Sequence, residues 1–100
     1  MSVNYEKKTS ANIEELKDRM KIFHDSEDYN LQRILDTSEK DVLSLVGEDA
    51  KNDLRTIELI YERSRYVYYD SLEFFYDNFQ EQILNISLAY ADLGGDDDGD

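Results

Sequence analysis

The single histidine of the chain, His24, is the first residue to test for chemistry, because a general base, a triad member or a metal ligand often rests on one. It sits in His24-Asp25-Ser26-Glu27-Asp28 with no second histidine anywhere in the sequence, and this polar setting reads as a solvated loop residue. Asp96, Asp97, Asp98 and Asp100 could offer hard oxygen ligands, but an EF-hand loop needs acids at alternate positions and a closing Glu. The run reads instead as a solvated tail. Paired carboxylates such as Glu14 with Glu15, or Asp25 with Asp28, carry little weight in a chain with 24 acids. There is no cysteine, hence no thiolate nucleophile, thiolate metal site or disulfide framework. No glycine-rich loop precedes a helix to cradle phosphate. No residue is assigned a catalytic, cofactor-binding or metal-ligating role, and the expectation is a protein that is not an enzyme.

The constellation that remains is Tyr61-Glu62-Arg63-Ser64-Arg65-Tyr66-Val67-Tyr68-Tyr69, with two arginines among four tyrosines on consecutive helical turns. One reading is a packed helix whose Arg63 and Arg65 pair with nearby acids such as Glu58 or Glu62. The other is a protein interface, since Tyr and Arg anchor binding hot spots. The candidate interface residues are Tyr61, Arg63, Arg65, Tyr66, Tyr69 and Tyr76, joined further along by Leu84, Ile86, Leu88 and Tyr90. A stacking platform for single-stranded nucleic acid could use the same side chains but conflicts with the surrounding negative charge.

The elements that must position these residues are helical. The chain has no proline and four glycines, of which Gly47 alone lies outside the tail. Asn12 with Glu15 reads as an N-cap and capping-box pair, opening a short helix from Ile13 to about Ile22 with Ile13, Leu16, Met20 and Phe23 on one stripe. A second helix runs from about Glu27 to Val46, buried along Leu31, Ile34, Leu35, Val42, Leu45 and Val46. The small residues Thr37-Ser38 allow close helix approach, and Gly47 fits the left-handed position just past its end. From Asp49, the recurrence of Leu54, Ile57, Tyr61, Ser64, Tyr68, Leu72, Phe75 and Phe79 predicts one long helix of about 45 Å. Beyond it two periods compete. Ile83, Ile86 and Tyr90 continue the helix, whereas Leu84, Ile86, Leu88 and Tyr90 alternate as a strand would. The strand is favoured, as an arm that pairs with another chain.

The expected organisation is thus a mainly α chain: a flexible N-terminus over 1–11, a small helical bundle over 12–79 with one long helix in its C-terminal half, an extended arm over 80–93, and a disordered acidic tail over 94–100. One hundred residues make one small domain. A formal net charge of -13 argues against a groove-reading DNA binder, because the duplex would be repelled. No window approaches the roughly 20 apolar residues of a membrane span, nor the apolar core of a signal peptide. The expectation is a soluble intracellular product.

The order of features resembles the small head-to-tail connector, or adaptor, proteins of tailed bacteriophages. It is carried by Leu16-Lys17, by Asp25-Ser26-Glu27-Asp28 leading into Leu31, Ile34 and Leu35, and by Asp41-Val42-Leu43 with the closing Gly47. The second half, Glu62-Arg63-Ser64-Arg65-Tyr66-Val67-Tyr68, Leu72-Glu73-Phe74-Phe75, Asn78-Phe79 and Ile83-Leu84-Asn85, is similar to connectors of phages that infect Gram-positive bacteria. The resemblance spans about residues 13–90. One departure stands out: many such connectors have a proline entering the helix after the closing glycine, where this chain has Glu48-Asp49-Ala50.

The resemblance implies a structural virion component at the head-tail interface, assembled in the host cytoplasm as a twelve-subunit ring beneath the portal protein. Such a ring extends the DNA channel and docks the next connector or tail component, using terminal segments as arms; here the arm is Gln80 to Leu93. No cofactor or membrane is involved. DNA passes through without specific binding, which an acidic lumen favours. The competing expectation is a small acidic regulatory or DNA-mimic protein that binds a basic partner through its carboxylates.

Overall fold

The computed structural model describes residues 5–91 as a small all-α fold. Four helices follow in order: α1 (Ile13–Met20), α2 (Asp28–Val46), α3 (Leu54–Tyr68) and α4 (Phe75–Ala89), with 3-10 turns at Glu48–Ala50 and Leu72–Phe74. No strand occurs among the described residues. The acidic tail over 94–100, the end of the expected arm and the Asp96–Asp100 run lie outside them.

Local signals set the first two helices. Asn12 caps α1, its side-chain oxygen accepting the Glu15 N–H at 2.8 Å. The reciprocal half of the capping box is absent. The Asn12 N–H donates to the Tyr61 hydroxyl at 3.0 Å instead, and the Glu15 carboxylate pairs with Arg19 one turn on, at 2.8 Å. α1 ends in a Schellman turn: Lys21 takes the left-handed conformation, φ 58°, while the Ile22 N–H reaches the Lys17 carbonyl at 2.9 Å. Ile22 then folds inward. Phe23, expected on the α1 stripe, is swung clear of the bundle and is 81% exposed.

α2 is the central helix, packed against α1, α3 and α4. Leu31, Ile34, Leu35, Val42 and Val46 are buried as expected, but Leu43 and not Leu45 completes the face. Gly47 stops the helix as expected but at φ 100°, ψ 145°, not in the left-handed turn: this extended positive-φ conformation is open only to glycine. The proline-less stretch after it forms the Glu48–Ala50 3-10 turn. Asp53 then caps α3, accepting the Arg55 N–H at 2.8 Å.

The expected long helix is in fact two. α3 ends at Tyr68, Asp70 adopts φ 59°, and the Ser71 N–H closes on the Tyr66 carbonyl at 2.8 Å, a second Schellman turn. Asp is among the few residues that enter the left-handed region readily. Ser71 also spends its hydroxyl on the Tyr66 carbonyl at 3.3 Å, the local competition that makes such residues poor helix formers. α4 then folds back over α2 and α3. The strand reading of the arm is overturned for Gln80–Ala89, which is helix. Phe75 and Ile86 are fully buried, and Phe79 and Ile83 are packed against the core, so the 3.6-residue period decides. A helix also satisfies its backbone internally, which a lone strand could not.

The segment before α1 offered little in the sequence to anchor it, yet from Tyr5 onward it is tied down. The Glu39 side chain, on α2 and 1% exposed, accepts the Lys8 N–H at 3.1 Å and the Thr9 N–H at 2.8 Å. The Thr9 hydroxyl donates to the same carboxylate. Burial, then the negative charge of Glu39, keeps the nearby Tyr5 phenol protonated well beyond its usual range.

Two outcomes follow for stability. Lys21→Gly removes the Cβ penalty of the left-handed position and should raise the unfolding free energy by about 0.5–1 kcal/mol, read as a higher urea midpoint. The Asp53 carboxyl is held well below the ordinary carboxylate range, first by the Arg55 guanidinium and then by the Tyr90 hydroxyl. Its stabilising effect is therefore present above the unfolded carboxyl value and is lost as pH falls through the lowered folded one. Asp53→Asn, which keeps a capping side chain, should lower the urea midpoint near neutrality and flatten its decline on acidification.

Candidate interaction surface

The Tyr-Arg run divides by helical geometry into an inner and an outer set. Tyr61 is 3% exposed. The Arg19 guanidinium lies 4.4 Å from its ring centroid, and Arg19 itself grips Glu58 with two hydrogen bonds of 2.9 and 2.6 Å. This cation-π and ion-pair set binds α1 to α3. Arg63 is also buried. Its Nε donates to Asp41 Oδ2 and its Nη1 to Ser38 Oγ, each at 3.0 Å, while the Tyr76 hydroxyl donates to the same Asp41 oxygen at 2.8 Å. Ile86 is 1% exposed. These three candidate interface residues, Tyr61, Arg63 and Ile86, are used by the chain's own interior.

The outer set reaches the surface. Arg65 pairs with Glu62 at 3.0 Å and stands beside the half-buried Tyr66, whose ring meets Phe75 and Phe79 edge-on at 5.8 and 5.9 Å. The Tyr66 hydroxyl accepts from the Asn78 amide at 3.0 Å. Arg65, Tyr66 and Tyr69 line an open groove of about 370 Å³ with Phe74 and Asn78. Tyr76 and Leu84 line another, of about 310 Å³, with Leu45 and Ile83. Leu88 points outward, and Tyr90 is partly exposed with its hydroxyl donated to Asp53 at 2.8 Å. A further groove, about 540 Å³, runs between α3 and α4 over Leu59 and Phe79. His24 lies in the exposed α1–α2 turn, with Ser26 Oγ 2.8 Å from Nδ1.

Leu54, the first residue of the expected stripe, is instead 77% exposed, and two exposed aromatics escaped the sequence reading: Tyr29 is 84% exposed and Phe74 55%. Tyr29 falls on the side of α2 opposite its apolar stripe, which a helical wheel reveals. Phe74 could be found because only one of two consecutive aromatics can face inward. The charge is segregated too. All eleven Lys and Arg precede Tyr66, so α4 carries only the acids Asp77 and Glu81. No helix is long and apolar enough to cross a membrane, and no group of three metal-capable side chains occurs, among the described residues. Comparison with known proteins returns nothing: no family model, no curated protein and no solved structure matches the chain.

Within the outer set the two tyrosines should part experimentally. Tyr66→Ala is expected to cost about 2 kcal/mol in chemical unfolding through its lost aromatic contacts, whereas Tyr69→Ala should stay within about 0.5 kcal/mol. Equal losses would place Tyr69 in the core.

Proposed function

We propose that this chain is a structural head-tail connector of a tailed bacteriophage, a ring subunit beneath the portal that extends the DNA channel and docks the next connector or tail component. The observation that carries the reading is the amount of apolar surface left open on so small a body. Phe23, Tyr29, Leu54, Tyr69, Phe74, Leu84 and Leu88 are each more than half exposed, on a chain of 100 residues. Apolar surface on this scale marks contact with other proteins. A ring subunit covers it against neighbours and the portal.

The sequence pattern behind the resemblance supports the same reading through its positions. Asp25 to Asp28 form the turn that opens α2, Leu31, Ile34 and Leu35 supply its buried face, and Gly47 ends it. The net charge of -13 suits a channel wall that repels DNA and lets it slide. On this reading the protein acts by position, not by catalysis, and its place is the virion neck after assembly in the host cytoplasm.

Native mass spectrometry of the chain mixed with portal rings of the same virus tests the proposal. The expected result is a portal complex heavier by about twelve copies. No binding at moderate salt, together with salt-sensitive binding to basic proteins, would overturn it in favour of an acidic regulator or DNA mimic.

A further inference from the structure

The turn between α3 and α4 is made of residues that a helix accepts. No glycine or proline occurs from Glu48 to Leu93, and the break rests on Asp70 at φ 59°, where Asp is tolerated but only glycine is free of the Cβ penalty. The apolar period ignores the break. From Tyr61 through Ser64, Tyr68, Leu72, Phe75 and Phe79 every step is three or four positions, and the same spacing runs on to Tyr90. A straight α3–α4 helix therefore carries one continuous stripe.

Nothing that holds α4 in place is particular to its own copy. Phe75 and Ile86 are its buried residues. Tyr76 bonds to Asp41 at 2.8 Å, Asn78 to Tyr66 at 3.0 Å, and Tyr90, at the end of the helix, to Asp53 at 2.8 Å. The α4 of a second copy finds the same partners, because identical chains offer identical surfaces.

The hairpin also has the symmetry that exchange requires. Across it Tyr66 meets Phe75 and Asn78, and Asp53 meets Tyr90, so each pair is centred between Asp70 and Leu72. Two straight α3–α4 helices that cross antiparallel about a two-fold axis at this point bring together the same pairs, each now between copies. Tyr69 and Phe74, both more than half exposed in the single chain, flank the crossing and lie beside the other copy's hinge.

We infer that α4 is an exchangeable element through which two copies of this chain pair. Asp70 leaves the left-handed region, α3 and α4 join into one helix of about 54 Å, and α4 packs on α2 and α3 of the second copy, whose own α4 fills the vacated surface in return. The occupant is chosen by identity, since the surface that receives α4 is the one it already fits. A short hinge under strain favours such swaps. The exchange does not depend on the connector reading.

A distance measured within one copy tests it. The chain has no cysteine, so Asn52→Cys with Ala89→Cys, at two exposed positions, places a pair of spin labels near the far ends of α3 and α4. The doubly labelled full chain is diluted into excess unlabelled chain, refolded from urea at high concentration and separated by size, and double electron–electron resonance is recorded on each fraction. The monomer should give the short distance set by the Asp53–Tyr90 hydrogen bond of 2.8 Å, and the dimer a distance of about 50 Å. Asp70→Gly, which suits the closed turn, should lower the dimer fraction at least about fivefold, and Asp70→Ala, which suits the straight helix, should raise it. Circular dichroism checks that both variants are helical, and the natural hinge decides alone if either is not. A natural chain that yields no dimer, a dimer that keeps the short distance, or a folded Asp70→Gly chain that dimerises as readily as the natural one would overturn the inference. Portal binding is read separately and bears only on the connector reading.

Discussion

The fold depends on the burial of the Arg63 guanidinium. A cation taken out of water is tolerable only when its charge and its donors are matched. Here Asp41 supplies the charge, Ser38 a further acceptor, and the Tyr76 hydroxyl completes the coordination of Asp41. These partners come from α2 and α4, while Arg63 belongs to α3, so one polar cluster fixes the relative placement of three helices. Apolar packing alone, through Leu35, Val42, Ile60 and Phe75, tolerates sliding of one helix on another. A matched guanidinium does not, because a shift of one turn would leave a charge unpaired.

The middle of α2 carries a second such point. Ser38 faces α3 and its neighbour Glu39 faces the N-terminal segment, so adjacent residues hold opposite sides of the molecule. Glu39 uses backbone N–H groups as its partners, which explains how a carboxylate can be 1% exposed without a cation beside it. The interior is therefore organised by two buried ions on or against α2, with hydrocarbon around them.

What the sequence made legible was local. The Asn12 cap, the extent of α2 and the stop at Gly47 depend on residues within a turn of one another, and they are found where they were expected. The all-α class follows from the absence of proline and from a body with a single glycine, Gly47. The breaks at Lys21 and Asp70 were hidden because neither left-handed position is glycine, and the break at Asp70 converted one long helix into a hairpin-like pair. The Gln80–Ala89 stretch satisfied two periods at once, and only the presence of α2 and α3 beneath it chose the helical one. In the candidate interface the chemistry of Tyr61 and Arg63 was visible but its direction was not. Whether an arginine faces a partner or an internal Asp41 twenty-two positions away is a tertiary matter.

The Glu39 clamp also sets a path for mechanical load. A pull on the N-terminal end reaches the hydrogen bonds from Lys8 and Thr9 to Glu39 before it reaches the first turn of α1. The tension is thereby delivered to the centre of the best-packed helix and shared by every residue behind it. Without the clamp the same pull would peel α1 residue by residue from Asn12. Force arriving from that side is borne by the whole bundle at once.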